Sequence, residues 1–324
     1  MKAIIQTAYG GPDVLQLTEV ERPVVANSDV LVRVRAASAN PLDWHYMRGE
    51  PFLMRVSSGL RTPKQTSVGV DFAGTVEAVG SSVKQFKPGD EVFGGRAGAF
   101  AEYVSVPQDK AIALKPANVT FEEAAAVPVA AITALQALRD RGHVQAGQSV
   151  LINGAAGGVG TFAVQIAKAL GARVTGVCST KNLEMLSEIG ADEVIDYTGQ
   201  DFTRGEQRYD LMIDIAGTRS WSECKRVLNP RSTFVIVGGP SPNRWLGPLT
   251  HSASTGLATL RVSQNVVPFF LAELNQENLL FMQGLLESGK VKPVIDRTYP
   301  LSEAGEAVGY LEKGHARGKV VITV

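Results

Sequence analysis

The spacing of apolar and polar positions divides the chain into two textures. Up to about residue 124 the apolar runs are short. Lys2–Gln6, Val30–Ala36, Asp71–Val79 and Glu91–Phe93 read as strands, separated by the turn signals GGP, NP, KPGD and GGRAG. Helical periodicity is scarce here. Residues 40 to 66 mix aromatics, methionines and basic side chains without a clear period. Two readings stand for this piece, a mobile lid over a pocket and a long surface loop.

From Phe121 onward the pattern changes. The stretch FEEAAAVPVAAITALQALRD is alanine-rich and helical, with Pro128 interrupting it. Strand and helix signals then alternate. VLING leads into a helix that runs to Leu170, ARVTGVCS into LEMLSEIG, then EVIDY, and YDLMIDIAG into WSECKRVL. STFVIVGG and LATLRVSQNVV close the series. Such alternation predicts an α/β domain with a parallel, doubly wound sheet covered on both faces, over residues 125–272. Ligands of such sheets sit at the carboxyl ends of the strands, which gathers Ala216, Gly217, Gly238 and Gly239 at one crevice. The tail, 273–324, alternates helix and strand and ends in GKVVITV, which is expected to return to the β-rich domain of residues 1–124.

The stretch GQSVLINGAAGGVGTFAVQIAK, residues 147–168, organises the second half. An apolar strand, Ser149 to Asn153, is followed by Gly154, Gly157, Gly158 and Gly160. Phe162, Val164, Ile166, Ala167 and Leu170 then recur at helical spacing. Strand, glycine turn and helix form the context of a dinucleotide site. The glycines let a pyrophosphate approach the main chain, and the helix start, expected at Gly160, offers free N–H groups. The spacing is G-x-x-G-x-x-G, because Ala155 stands where the commoner motif has its first glycine. Ala156, Gly157, Gly158, Val159 and Gly160 are therefore the expected phosphate cradle. An NAD site carries an acid about 20 residues further on, for the ribose 2′-hydroxyl. This chain has Cys178-Ser179-Thr180-Lys181 there, and its nearest acid is Glu184 in the next helix. Hydroxyls and a cation suit a 2′-phosphate, so NADPH is the expected cofactor.

Composition narrows the class. Lys+Arg and Asp+Glu are both 32, so no basic excess points to nucleic acid. There is no apolar run long enough for a membrane span, and no signal-peptide core at the N-terminus. The cysteines are only Cys178 and Cys224, which fits a reducing, cytoplasmic setting.

The glycine stretch resembles the quinone oxidoreductase signature of the medium-chain dehydrogenase/reductase superfamily. The likeness extends along the chain through NPLDWHYMRG, GVDFAGTVEAVG, FKPGDEVFG, GAFAEYVSVP, EAAAVPVAAITA, GADEVIDY and HARGKVVITV, in the family's order. It is greatest for the zinc-free, NADPH-dependent enone and quinone reductases, including the mitochondrial reticulon-interacting branch. The resemblance implies a Rossmann domain inserted in a GroES-like β-rich domain built from both chain ends, an active site in the cleft between them, and a homodimer. The expected reaction is reduction of a quinone, enone or alkenal. Two other readings stay open: an NADPH-binding regulatory or structural protein, and a zinc-free alcohol dehydrogenase-like enzyme.

The resemblance also assigns residues. The zinc-dependent alcohol dehydrogenases of the superfamily use two Cys and a His. This chain has Asn40 at the first position, Val70-Asp71 in place of the GHE-type ligand motif, and no cysteine lobe. Asp43, His45 and Asp71 remain as a weak nitrogen and oxygen ligand set; no metal is expected. Asn40 and Asp43 of the N-x-x-D motif, with Thr133, are the implied catalytic residues, Asn40 having the alternative of bonding loop backbone. Many quinone reductases have a tyrosine two residues past the Asp. Here His45 stands there and Tyr46 follows, so Tyr46, His45 and water are all candidate proton donors. On the cofactor side the resemblance adds Lys181 and Tyr197 for the 2′-phosphate. It also adds His315, Ala316 and Arg317, while Phe269 or Phe270 would line the nicotinamide pocket unless they pack in the core. Trp44, Phe52, Met54 and Trp245 suggest an apolar acceptor pocket.

Overall fold

The computed structural model describes residues 1–239, 245 and 263–324. The chain forms two compact units. One comprises Met1–Ile132, Glu273–Gly289 and Pro293–Val324; the other comprises Thr133–Ala272 and Lys290–Lys292.

The β-rich unit opens with a ribbon of β1 (Lys2–Gln6) and β2 (Leu15–Glu19). Next come β3 (Asp29–Ala39), β4 (Asp71–Val79), β5 (Glu91–Gly95), β6 (Tyr103–Pro107) and β7 (Ile112–Leu114). Strand β3 is covered on both faces. Val30, Val32 and Val34 join Phe72, Val76, Val92 and Ile112 in one apolar cluster, whereas Ala37 and Ala39 join Ile4, Met47, Phe100 and Ile322 in another. Residues 40–66 are not a continuous loop: helices span Pro41–Arg48 and Arg55–Ser58, with a 3₁₀ turn at Phe52–Met54 between them. The first helix starts as its sequence dictates, with Asn40 at the N-cap, Pro41 in the first turn and Asp43 at the third position.

The second unit holds β8 (Ser149–Asn153), β9 (Arg173–Cys178), β10 (Glu193–Asp196), β11 (Tyr209–Asp214), β12 (Leu228–Ile236) and β13 (Asn265–Val267). All pair in parallel, in the spatial order β10-β9-β8-β11-β12-β13. This is the doubly wound Rossmann order, and its reversal point lies between β8 and β11. Val150, Leu151 and Ile152 are fully buried in succession, as a strand covered on both faces requires. Of the expected last strand, 257–267, residues 257–262 lie outside the described residues.

The chain then returns to the β-rich unit with the Gln276–Glu287 helix, β14 (Ile295–Pro300), the Ala304–Glu312 helix and β15 (Lys319–Thr323). Strand β15 pairs parallel to β14 and antiparallel to β3, with Val320 opposite Ala39. The resulting sheet runs β14-β15-β3-β4-β5-β7, with β6 also on β3. The unit is thus built from both chain ends and has the GroES-like architecture. Among the described residues, no helix is long and apolar enough to cross a membrane.

Candidate dinucleotide and acceptor sites

At the end of β8 the chain turns through Gly154, whose φ of +88° suits only glycine well. Gly157 caps the Gly158–Ala169 helix, which therefore starts two residues before Gly160. The N–H groups of Gly158, Val159 and Gly160 have no acceptor within the helix. The first helical bond runs from Thr161 N–H to Gly157 O, 3.0 Å. The glycines have different duties. A Cβ on Gly160 would lie 2.2 Å from Gly154 O, and one on Gly238 would lie 2.5 Å from Ile215 O. Both are required for close backbone packing. A Cβ on Gly157 would meet a single atom, Gly154 O, at 3.7 Å. That position is open, as a phosphate cradle needs to be. Ala156 beside it is buried.

The neighbouring strand ends are locked level with this loop. Asn153 Nδ2 and Gly217 N–H donate to Asp214 Oδ1 at 2.8 and 2.9 Å, and Ile215 N–H donates to Asn153 O at 3.0 Å. Val237 N–H donates to Asp214 O, 2.9 Å. Ala216, Gly238 and Gly239 follow directly on these anchored residues, at the carboxyl edge of the sheet. Sequence reasoning passed over Asn153 and Asp214, although each is a polar residue closing an apolar strand.

One strand further out, Tyr197 N–H donates to Cys178 O, 3.0 Å, and Asp196 pairs with Cys178 in register. Ser179, Lys181 and Tyr197 are thereby brought to one edge, with Lys181 and Tyr197 exposed. An acid is present here after all, on the adjacent strand. Asp196 Oδ2 accepts from Thr180 Oγ1 at 2.6 Å, and its Oδ1 accepts from Thr198 N–H and Oγ1 at 2.9 and 2.7 Å. These donors, Thr180 first, hold the carboxyl below the usual carboxylate range.

In the β-rich unit the chain passes from β3 to the Pro41–Arg48 helix through Asn40. This residue is 1% exposed, and its side-chain amide is fully engaged. Asn40 Nδ2 donates to Asp71 Oδ2 (2.8 Å) and more weakly to Ser38 O (3.4 Å), while Asn40 Oδ1 accepts from Lys319 Nζ at 2.6 Å. Ser38 Oγ and Val129 N–H also donate to the Asp71 carboxylate, at 2.9 and 3.0 Å. Asp43 Oδ2 accepts from Asn40 N–H, 2.7 Å. Burial raises the Asp43 carboxyl to about 7, reinforced by Asp71 and opposed by the Asn40 hydrogen bond and by Lys319. Burial likewise lowers the Lys319 ammonium. Asn40 and Asp43, two of the residues expected to be catalytic, are both buried, Asn40 held by protein through its amide and Asp43 through Oδ2. The Asn40 amide bonds the side chains of Asp71 and Lys319, and backbone only through the weaker contact to Ser38 O in β3. Tyr46, 46% exposed, is the polar side chain of this helix that stands furthest out to solvent, with His45 and Arg48 partly exposed beside it. His45 Nδ1 lies 2.7 Å from Glu50 O, so Nδ1 carries the hydrogen and Nε2 is a bare acceptor. Burial lowers the His45 pKa, which keeps the ring neutral.

The remaining sequence candidates divide. His315 and Arg317 are exposed in the turn before β15, where Arg317 N–H and Tyr310 Oη donate to Asp296 Oδ2 at 3.0 and 2.8 Å. Ala316 packs on the apolar cluster around Met47. Thr133, on the Pro128–Leu135 helix, is half-buried. Phe269, half-buried, packs against the cluster of Leu151, Trp221 and Phe234. Phe52 lies under the Arg55 guanidinium, Trp44 packs beside Met47, and Trp245 is exposed. Cys178 and Cys224 are buried free thiols, and burial pushes Cys178 up to about 11. Among the described residues no group of three His, Cys, Asp or Glu side chains is placed to hold a metal ion.

Known proteins share the sequence and the fold. Residues 26–116 match the alcohol dehydrogenase GroES-like domain, and residues 189–322 match a zinc-binding dehydrogenase family. The 2-methylene-furan-3-one reductase of Solanum lycopersicum is 36% identical over 99% of this chain and 79% of its own length. The mitochondrial NAD(P)H oxidoreductase RTN4IP1 of Mus musculus is 34% identical over 100% of this chain and 89% of its own. The structure of Escherichia coli quinone oxidoreductase complexed with NADPH superposes with a TM-score of 0.84 at 28% identity, covering 100% of both chains. The chain belongs to the medium-chain dehydrogenase/reductase superfamily, in its quinone-oxidoreductase-like branch.

Proposed function

We propose that this protein is a zinc-independent, NADPH-dependent reductase of quinones or of activated C=C bonds in enones and alkenals. The observation that carries the reading is the open cradle at Gly157, on the free N–H groups of Gly158, Val159 and Gly160. NADPH, when bound, supplies the hydride. The cradle residues hold its pyrophosphate, while Ser179, Lys181 and Tyr197 take the 2′-phosphate. Asp196, spent on two threonines, is not left to select a ribose hydroxyl. Relatives named for NADPH and for a furanone substrate support both halves of the reading.

On the acceptor side, Tyr46 Oη is the donor to the substrate oxygen. His45 is a poor acid there, because its one hydrogen is bound to Glu50 O and Nε2 carries none. Asp71 cannot double as a zinc ligand while it serves Lys319, Asn40, Ser38 and Val129. A conjugated acceptor places its developing charge on a carbonyl oxygen, where neutral donors suffice. A saturated alcohol or an unactivated ketone would need an electrophile that this donor set does not provide.

The domain reading assigns residues 125–272 to the dinucleotide and the two ends of the chain to the acceptor. We also assign a homodimer, formed through β13, the edge of the parallel sheet among the described residues.

The test is NADPH oxidation against a panel of alkenals, enones, quinones and simple ketones, with stereospecifically deuterated NADPH for the enones. Label is expected at the β-carbon. Label at a carbinol carbon, or turnover of simple ketones alone, would overturn the assignment. NADPH binding without turnover of any conjugated acceptor would point to a regulatory role instead.

A further inference from the structure

Lys319 is a buried cation that the reaction above does not use. It lies on the last strand, 2% exposed, yet its sequence neighbours in β15 are apolar core residues. A buried ammonium is retained only where it is paired and hydrogen-bonded. A simple charge pair would set Nζ on the carboxylate. The short contact goes elsewhere: 2.6 Å to Asn40 Oδ1, 3.2 Å to Ala39 O, and only 3.5 Å to Asp71 Oδ2. The near oxygen of Asp71 is occupied by Asn40 Nδ2 at 2.8 Å and Ser38 Oγ at 2.9 Å. The Asn40 amide therefore bridges two opposite charges, with its oxygen on the cation and its nitrogen on the anion. This arrangement has one sense. Rotating the amide by half a turn would set NH₂ against the ammonium and the oxygen against the carboxylate.

Asn40 is also the hinge between β3 and the helix that carries Tyr46. Its N–H is held by Asp43, one turn ahead of Tyr46 on that helix. The far end of the helix is anchored independently. Gln6 Nε2 donates to the carbonyls of Tyr46 and Met47 at 3.2 and 3.0 Å, and Arg48 pairs with Glu312 at 2.7 and 2.9 Å. The first turn has no such ties to side chains other than Asp43 and the Asn40 cluster among the hydrogen bonds above.

We propose that Lys319 is a positioning residue for the acceptor site: through Asn40 it locks the first turn of the Pro41–Arg48 helix and so sets the place of the Tyr46 hydroxyl. The proposal rests on the reading of Tyr46 as the acceptor-side donor. It makes the last strand, 279 residues from Asn40 in sequence, a determinant of turnover.

The test uses the full-length protein in three forms: wild type, Lys319→Arg, and the double variant Asp71→Asn with Lys319→Met, which leaves no unpaired buried charge at this pair. Amide exchange of the apo protein is followed by mass spectrometry over residues 38–48 and 149–170. NADPH affinity is measured by fluorescence titration, and kcat and KM for an enone are measured separately. In the double variant, exchange over 38–48 should quicken roughly tenfold, the scale of one lost hydrogen bond, with 149–170 and NADPH affinity unchanged. The fall in kcat/KM should lie mainly in kcat, and Lys319→Arg should restore part of it. Unchanged exchange over 38–48, or parental kcat in the double variant despite faster exchange, would overturn the positioning role. If Tyr46→Phe is fully active while exchange quickens as expected, it is the acceptor reading of Tyr46 that fails.

Discussion

Two glycines three residues apart should respond oppositely to the same added methyl. At Gly160 a Cβ would sit 2.2 Å from Gly154 O and 2.6 Å from Ala155 C and O. All three are backbone atoms of the loop, so no side chain can rotate away. Overpacking of this kind costs about 1–3 kcal/mol. For a unit of this size, each kcal/mol lowers Tm by about 2–4 °C. Gly160→Ala should therefore melt roughly 2–12 °C below wild type as apoprotein. At Gly157 the nearest atom would be 3.7 Å away, and the backbone, φ −82° and ψ −179°, is open to any residue. Gly157→Ala should leave apo stability within about 0.5 kcal/mol. Its methyl instead projects where the pyrophosphate approaches, so NADPH affinity should fall tenfold or more, which is about 1.4 kcal/mol. Differential scanning fluorimetry without ligand and NADPH fluorescence titration separate the two effects. A Gly157→Ala protein that binds NADPH as wild type does would refute the cradle, and a Gly160→Ala protein of unchanged Tm would refute the packing geometry.

Other outcomes follow from individual side chains. Lys181→Ala should remove one charge-assisted bond to the 2′-phosphate, about 1.5–3 kcal/mol, and so shift the NADPH-to-NADH ratio of kcat/KM at least tenfold toward NADH; an unchanged ratio would remove Lys181 from cofactor selection. Tyr46→Phe should lower kcat on the order of 10²-fold with NADPH affinity intact, and steady-state kinetics on an enone would decide it. Asp43 carries a linkage signature. Its folded pKa, about 7, lies above its ordinary 3.8, so the folded state holds a proton that the unfolded state has lost across that window. Stability from this group is complete below pH 4 and is lost as pH rises through 7. Asp43→Asn should therefore be near neutral below pH 4 and stabilising at pH 8, by on the order of 1–3 kcal/mol, as read by denaturant titration at both ends. Light scattering at micromolar concentration should give twice the 34.5 kDa chain mass, and a single-chain mass would count against the dimer.

The alternation of strands and helices after Phe121 was legible because a parallel strand buried on both faces reads as an unbroken apolar run, as in Val150 to Ile152. The glycine loop was legible for a similar reason, since close backbone approach excludes every other side chain at Gly160 and Gly238. The Pro41–Arg48 helix was not. Its inner face carries Asp43 and Met47 rather than an apolar stripe, so periodicity was silent, and the Asn-Pro pair that caps the helix reads equally as a turn.

Local chemistry along the chain thus determined much of the dinucleotide half of this protein: the strand, the glycine turn, the helix that follows it, and the hydroxyls and cation at 179–181. Only the tertiary structure decided the rest. Asp196 reaches the end of β9 because β10 pairs beside it in register. Lys319 meets Asp71 across 248 residues of chain because β15 and β4 flank β3. Once those two charges enclose Asn40, the amide is spent on them, while Tyr46 on the same helix stays exposed to solvent. No spacing in the sequence encodes that choice, since it follows from strand order and from the cost of burying a charge unpaired.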